Sequence, residues 1–329
     1  MREKDVLYAN FICKIGRSPM IDYLQEIVLP AFINDKYFRS RGSTSFHIID
    51  SRLENLGSAD NPDYCLIGRF VKSTVLHRTQ IFDENTGELT PDELSIESAP
   101  SAFFVLRLLG HRLIYFAETP FAPDIDSLQA SLRMHLKWAW EGYVRARHKE
   151  TGETLKAIRA EVPRPTLQIN TMVGGDNVRA FIDRFEKINR LTIVVHERND
   201  EEDAYDLVEA IEAHREFVGG KKSKLETRSK EGLDKEATIE TIEGAGRSGN
   251  QSTTVSGIDE QGTKLKGNQN DYAVTDRLPV PPANAKAKGK SLLAKLMDAG
   301  QQGKVSLGNG TEALRERIRN LFEGNDDQV

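Results

Sequence analysis

Two apolar runs, Ala102 to Leu109 and Arg112 to Ala117, are separated only by Gly110 and His111. Two β-forming segments joined by so short a glycine-containing break can pair only as an antiparallel hairpin. That hairpin sets the frame for the rest of the chain. Tyr64 to Thr74 is a further strand whose two alternating sets, Leu66, Gly68, Phe70 and Lys72 against Cys65, Ile67, Arg69 and Val71, leave neither face purely polar. Such a strand belongs in the middle of a sheet. Val75 to Phe82 continues it, and Asn85-Thr86-Gly87 turns the chain. Val6 to Ile15 and Ser45 to Ile49 supply further strands.

Helices flank these strands. Ser18-Pro19 is a cap followed by proline, Ile21, Leu24, Ile27 and Val28 recur at helical spacing, and Pro30 is expected to end that helix. A second helix is expected over about 126–145, with Leu128, Leu132, Leu136 and Ala139 as its apolar stripe and Ser131, His135 and Trp138 beside it. Residues 1–150 therefore form an antiparallel α+β domain.

A second α+β domain is expected over 151–278. Leu167 to Met172 is a strand, Asp176 caps a helix carrying Val178, Phe181, Ile182 and Phe185, and Leu191 to His196 is a strongly β-branched strand. Asp203 caps a further helix carrying Leu207, Val208, Ile211 and His214, which Gly219-Gly220 terminates. The alternation is βαβα-like, and Thr253 to Val274 adds a hairpin. Residues 221–250, rich in charge, Gly and Ser, read as a mobile connection with a short strand at Thr238 to Ile242. After Leu278, Pro279, Pro281 and Pro282 precede Lys286, Lys288 and Lys290. Residues 279–329 thus read as a flexible basic tail with short helices at Ser291 to Asp298 and Thr311 to Phe322. The modest hydrophobic share of 38% suits an ordered body with a polar tail.

No apolar run is long enough to span a bilayer, and the first five residues lack the apolar core of a signal peptide, so a cytoplasmic location is expected. The two cysteines, Cys13 and Cys65, sit in apolar strands and read as buried free thiols. The sequence has no Walker A motif, no dinucleotide-binding glycine fingerprint, no nucleophile elbow and no cysteine pair at zinc spacing. No two histidines stand at i, i+4. Catalytic residues, cofactors and metals are therefore expected to be absent. The acids best placed for an alternative metal-dependent nuclease or toxin are Glu118 and Asp124, after the hairpin. Read structurally, Glu118 is a strand-end residue and Asp124 a helix cap.

Charge is the strongest signal. From Arg133 to Arg164 the chain carries eight bases (Arg133, Lys137, Arg145, Arg147, Lys149, Lys156, Arg159 and Arg164) against Glu141, Glu150, Glu153 and Glu161. That leaves +4 in a chain of net charge −5. Trp138 and Trp140 interleave with the bases. Cations neutralise phosphates and aromatic rings stack on exposed bases, so this region is the candidate nucleic-acid surface. The competing reading is a basic helix terminus, favoured by the helix dipole, with its tryptophans turned to the core.

The segments Ser101 to Val105 and Arg112 to Pro123, followed by Asp126-Ser127-Leu128, resemble the hairpin-then-helix core of the lambda RexA type of phage-exclusion protein. Val255 to Gly262 resembles a late hairpin of that family. The resemblance implies a cytoplasmic, non-enzymatic DNA-binding sensor in abortive infection, a homodimer that triggers a membrane-protein effector. The stretch after Pro279 departs from the family pattern. A third expectation is a protein-interaction subunit that docks through Leu314, Ile318 and Leu321 of its tail helix.

Overall fold

A computed structural model of the protein describes residues 4–196, 206–220, 222–279, 281–308 and 310–323. The expected hairpin is its centre. Strands β7 (Ser101–Arg107) and β8 (Arg112–Ala117) pair from Ala102↔Ala117 to Arg107↔Arg112. Gly110, at φ 75°, makes the turn in a conformation that glycine adopts without steric cost.

The first sheet grows outward from this pair. β1 (Lys4–Ile15) lies beside β8, and β5 (Tyr64–Asp83) lies beside β7. Beyond β5 come β4 (Thr44–Asn55) and β3 (Phe38–Arg41). The far end of β5 pairs instead with β6 (Glu88–Ser98). β2 (Ser18–Pro19) folds back on the end of β1. The remaining edge of β1 is shared by two strands from the second half of the chain, β9 (Pro165–Thr171) and β14 (Thr275–Leu278).

Neither face of the centre of this sheet is left to solvent. Phe11, Leu66, Phe104, Leu106 and Leu113 pack under helical segments on one side. These segments are α1 (Leu29–Ile33), α2 (Ile125–Thr151) and α3 (Leu155–Glu161). Tyr8, Cys65, Ile67, Phe103, Val105 and Ile114 face the other way, under α7 (Ala285–Gln301). This accounts for strands that are apolar on both alternations. Cys13 and Cys65 are buried free thiols, and burial pushes the Cys13 thiol up to about 12.

Pro30 does not end its helix. A 3-10 turn (Met20–Tyr23) and a π turn (Leu24–Val28) run directly into α1, and the Leu29 N–H donates to Leu24 O. Proline needs no N–H partner in a first helical turn, so it sits at the start of α1.

The second half of the chain departs from a βαβα unit. Leu167 and Ile169 complete the core beneath α2, which draws β9 into the first sheet. The second sheet has the order β11-β10-β12-β13 and is antiparallel throughout. It comprises β10 (Lys187–Val195), β11 (Ser223–Leu233), β12 (Gln251–Ile258) and β13 (Lys264–Asn268). Its apolar face packs on α4 (Gly175–Ile182) and α6 (Lys235–Gly246). α5 (Asp206–Phe217) joins β10 to β11. The expected cap Asp203 and the side chains of Leu207 and Val208 lie outside the described residues.

Two expectations are corrected. The stretch 221–250 is not a mobile connection, because β11 and α6 fill most of it. Thr238 to Ile242 is helical, since Asp234 caps the Ala237 N–H and Ile239, Ile242 and Ala245 form a buried stripe. Nor is the stretch after Leu278 a detached tail. Asn284 caps α7, whose Leu292, Leu293, Leu296 and Ala299 are buried against the first sheet. Residues 324–329 lie outside the described residues.

Candidate nucleic-acid interface

α2 is longer than its apolar stripe. Asp124 caps it by accepting the Ser127 N–H, and Gly152, at φ 73°, ends it in the left-handed conformation. The expected basic surface is divided by this geometry. Lys137, Arg145 and Lys149 share one outer ridge of α2, but Glu141 stands between the first two at 3.7 and 4.0 Å. Arg147 turns to the α2–α3 corner, where Glu153 and Glu161 hold it at 3.0 and 2.6 Å. Lys156 and Arg164 are exposed beyond the corner. Arg159 lies over the Trp140 ring, 5.9 Å from its centroid.

The tryptophans are not a stacking platform. Trp140 is buried and its indole N–H donates to Val162 O at 2.9 Å, so it is a core residue. Trp138 is half-buried and spends its ring on His135 and Tyr37, with centroids 5.7 and 5.4 Å away. The corner near Glu150 to Glu153 is pinned by the Arg147 pairs and by His148 Nδ1 at 2.6 Å from Glu153 O.

The alternative acids are both committed. Glu118 is bonded to Arg69 Nε at 2.9 Å, to the Ser101 hydroxyl at 3.2 Å and to Lys288 Nζ. Burial would raise its carboxyl, but the Lys288 ammonium and Arg69 outweigh that and hold it below the usual carboxylate range. Asp124 is the α2 cap. Leu314, Ile318 and Leu321, on α8 (Glu312–Glu323), pack into the same hydrophobic core as the stripe of α2. Their apolar stripe is therefore already occupied within the chain.

A more concentrated basic surface lies on the second sheet. Cα partners in adjacent strands point their side chains to the same face. Register therefore places Lys187, Arg190, Thr192 and Val194 of β10 with Lys224, Glu226 and Arg228 of β11. Ser252, Thr254 and Ser256 of β12 and Lys264, Lys266 and Asn268 of β13 join the same face. It is the face opposite to buried Ile188, Leu191, Ile193, Val195 and Val255. Six bases meet one acid there. That acid, Glu226, is shared by Lys224 at 2.7 Å, Arg190 at 3.9 Å and Arg228, and the bonds from Lys224 and Arg228 hold its carboxyl down at about 2. Arg190, Lys224, Arg228, Lys264 and Lys266 are exposed. Serine and threonine hydroxyls form the middle rows, between the bases of the edge strands.

At one end of this face His196 bonds through Nε2 to the Ser252 hydroxyl at 2.8 Å. Burial lowers its pKa to about 4, and the positive fields of Lys222, Arg133 and Arg215 add to the shift. Arg133 is itself tethered, donating to Leu167 O and Gln168 Oε1, each at 2.9 Å. The positive field thus runs from the sheet to the start of the basic stretch of α2. Of the expected residues, the structure brings only Arg133 to this surface.

Lys187, Arg190, Lys224, Arg228, Lys264 and Lys266 escaped the sequence reading because four strands contribute them and only register unites them. The available signal was period-two alternation, Lys224-x-Glu226-x-Arg228 and Lys264-x-Lys266. A cleft of about 380 Å³ opens near Gly174 and Gly175, but Asp176 and Glu243 oppose Arg247 and Lys304 in its walls, so it has no preference for an anion.

These features define an α+β protein with a cationic, hydroxyl-lined sheet face. No protein family matches the sequence, and no curated protein matches it either.

Proposed function

We propose that the protein binds nucleic acid through its phosphates, on the outer face of the second sheet, without a catalytic step. The observation that carries this is the ratio of six bases to one acid on one sheet face of a chain whose net charge is −5. Lysine and arginine there neutralise phosphates and release counterions, and hydroxyls donate to phosphate oxygens. None of this reads base identity, so binding is sequence-tolerant. The resemblance to phage-exclusion proteins supplies the setting: a cytoplasmic sensor in anti-phage defence that signals to a separate, membrane-bound effector. Among the described residues no helix is long and apolar enough to cross a membrane.

The test is fluorescence anisotropy with labelled DNA and RNA across a salt series. The double variant Lys264→Glu/Lys266→Glu should bind more weakly and lower the salt slope by roughly 0.9 for each phosphate that is no longer neutralised. Arg145→Glu/Arg147→Glu should do less, because both arginines already face glutamates. Absence of binding by the unaltered chain at about 50 mM salt, where phosphate binding is strong, would overturn the reading.

A further inference from the structure

The cations on the outer face of the second sheet are gathered at its margins. Lys224 and Arg228 stand on β11 and Lys264 and Lys266 on β13, the two edge strands, and Arg190 of β10 adjoins the first pair. Thr192 of β10 and Ser252, Thr254 and Ser256 of β12 lie between them. Across the sheet the register reads Arg228, Arg190, Ser256, Lys266. The edge strands are three strand spacings apart, about 14 Å. His196 holds the Ser252 hydroxyl. The hydroxyls of Thr192, Thr254 and Ser256 have no hydrogen-bond partner among the described residues, and all three residues are half-buried in the floor of the face.

Two cationic margins with a neutral floor between them suit two phosphate backbones, and therefore a duplex. Strands β10 to β13 carry no phenylalanine, tyrosine or tryptophan on which an unpaired base could stack. The width of the face selects the form of duplex. The major groove of B-form DNA, about 12 Å wide, takes a helix or a two-stranded ribbon, and the minor groove is only about 6 Å wide. A four-stranded face enters neither, so on B-form DNA its margins reach phosphates while its central hydroxyls touch nothing. The minor groove of an A-form helix is wide and shallow and displays 2′-hydroxyls. A broad face lies on that surface with a margin at each backbone. Its serine and threonine hydroxyls then meet 2′-hydroxyls, and each partner can both donate and accept.

We infer that double-stranded RNA is the preferred ligand of this face, recognised by A-form shape and 2′-hydroxyls and not by base identity. The inference rests on the phosphate-binding reading of the same surface and names its substrate class.

Fluorescence anisotropy of the full chain tests it, with a 20-base-pair RNA duplex, an RNA–DNA hybrid and a DNA duplex of one sequence at a single salt concentration. The RNA duplex should bind roughly tenfold more tightly than the DNA duplex, a margin that two hydrogen bonds supply. The hybrid, with 2′-hydroxyls on one strand, should fall between them. Thr254→Val/Ser256→Ala should remove the preference for RNA and leave DNA affinity and the circular dichroism spectrum unchanged. A DNA duplex bound as tightly as the RNA duplex would overturn the inference and leave phosphate binding standing. A hybrid that binds most tightly would overturn double-stranded RNA as the ligand. A variant that keeps the preference would overturn the role of the hydroxyls. Absence of binding to all three would overturn the phosphate-binding reading itself.

Discussion

Lys288 of α7 donates its ammonium proton to the Glu118 carboxylate at the end of β8, across 170 positions of sequence. Both side chains are nearly buried, at 8 and 12% exposure, and Arg69 joins Glu118 from β5. Lys288 also lies over the Phe103 ring, 5.0 Å from its centroid. This ion pair clamps the last part of the chain to the central hairpin.

Glu118→Gln should therefore destabilise the fold. It leaves the Lys288 ammonium buried without its carboxylate, a situation that costs about 3 kcal/mol or more. Lys288→Met should cost less, because Arg69 still faces Glu118. Urea unfolding measures both. The sign of the pH dependence follows from a folded carboxyl held below its unfolded value. The contribution of the pair is present above the ordinary carboxylate pKa and is lost as pH falls through the lower, folded value. The gap between Lys288→Met and the unaltered chain should accordingly close in acid. A gap that widened in acid would mean that Glu118 does not carry the charge.

His135 provides a second, independent acid response. It is 1% exposed, its Nδ1–H donates to Ala31 O at 3.1 Å, and burial lowers its pKa to about 4. Above the unfolded histidine value of about 6.5 it is neutral in both states and imposes no penalty. Between about 6.5 and about 4 the unfolded chain binds the proton first, so stability falls as pH falls. His135→Phe keeps an aromatic ring beside Trp138 and Tyr37 and removes that proton. Its unfolding free energy should fall less steeply with acid in this window than that of the unaltered chain. Identical slopes would place the acid response elsewhere.

These two sites show which features local sequence can reveal. The hairpin β7–β8 and the helix α2 were legible because each is specified by neighbours: Gly110 at the turn, Asp124 at the cap, and Leu128, Leu132 and Leu136 at helical spacing. Glu118 and Lys288 were legible only as an acid and a tail lysine, since their meeting depends on α7 crossing beneath the sheet. Trp140 was ambiguous for another reason. Its place among arginines suggests stacking, and only the packing of Val162 against α2 shows where its N–H goes. β11 was missed because an edge strand with Lys224, Glu226 and Arg228 on one face and Leu225 and Thr227 on the other buries too little to look like a strand.

Truncation separates a tail from a core helix. Ending the chain after Leu278 would remove α7 and α8 and uncover Cys65, Ile67, Phe103, Val105, Ile114 and Phe116 in one sweep. All six are at most 1% exposed in the intact fold. At about 25 cal/mol per Å², each large side chain returned to water costs roughly 1.5–3 kcal/mol, so together they cost about as much as the 5–15 kcal/mol that holds a typical domain together. Gly110 reinforces the dependence, because a Cβ there would collide with Leu307 O, so closely does the segment before α8 lie on the hairpin turn. The truncated chain should accumulate as insoluble or dye-binding material. A truncated chain that stayed soluble, with the unfolding transition of the full protein, would mean that α7 rests on the sheet without sustaining it.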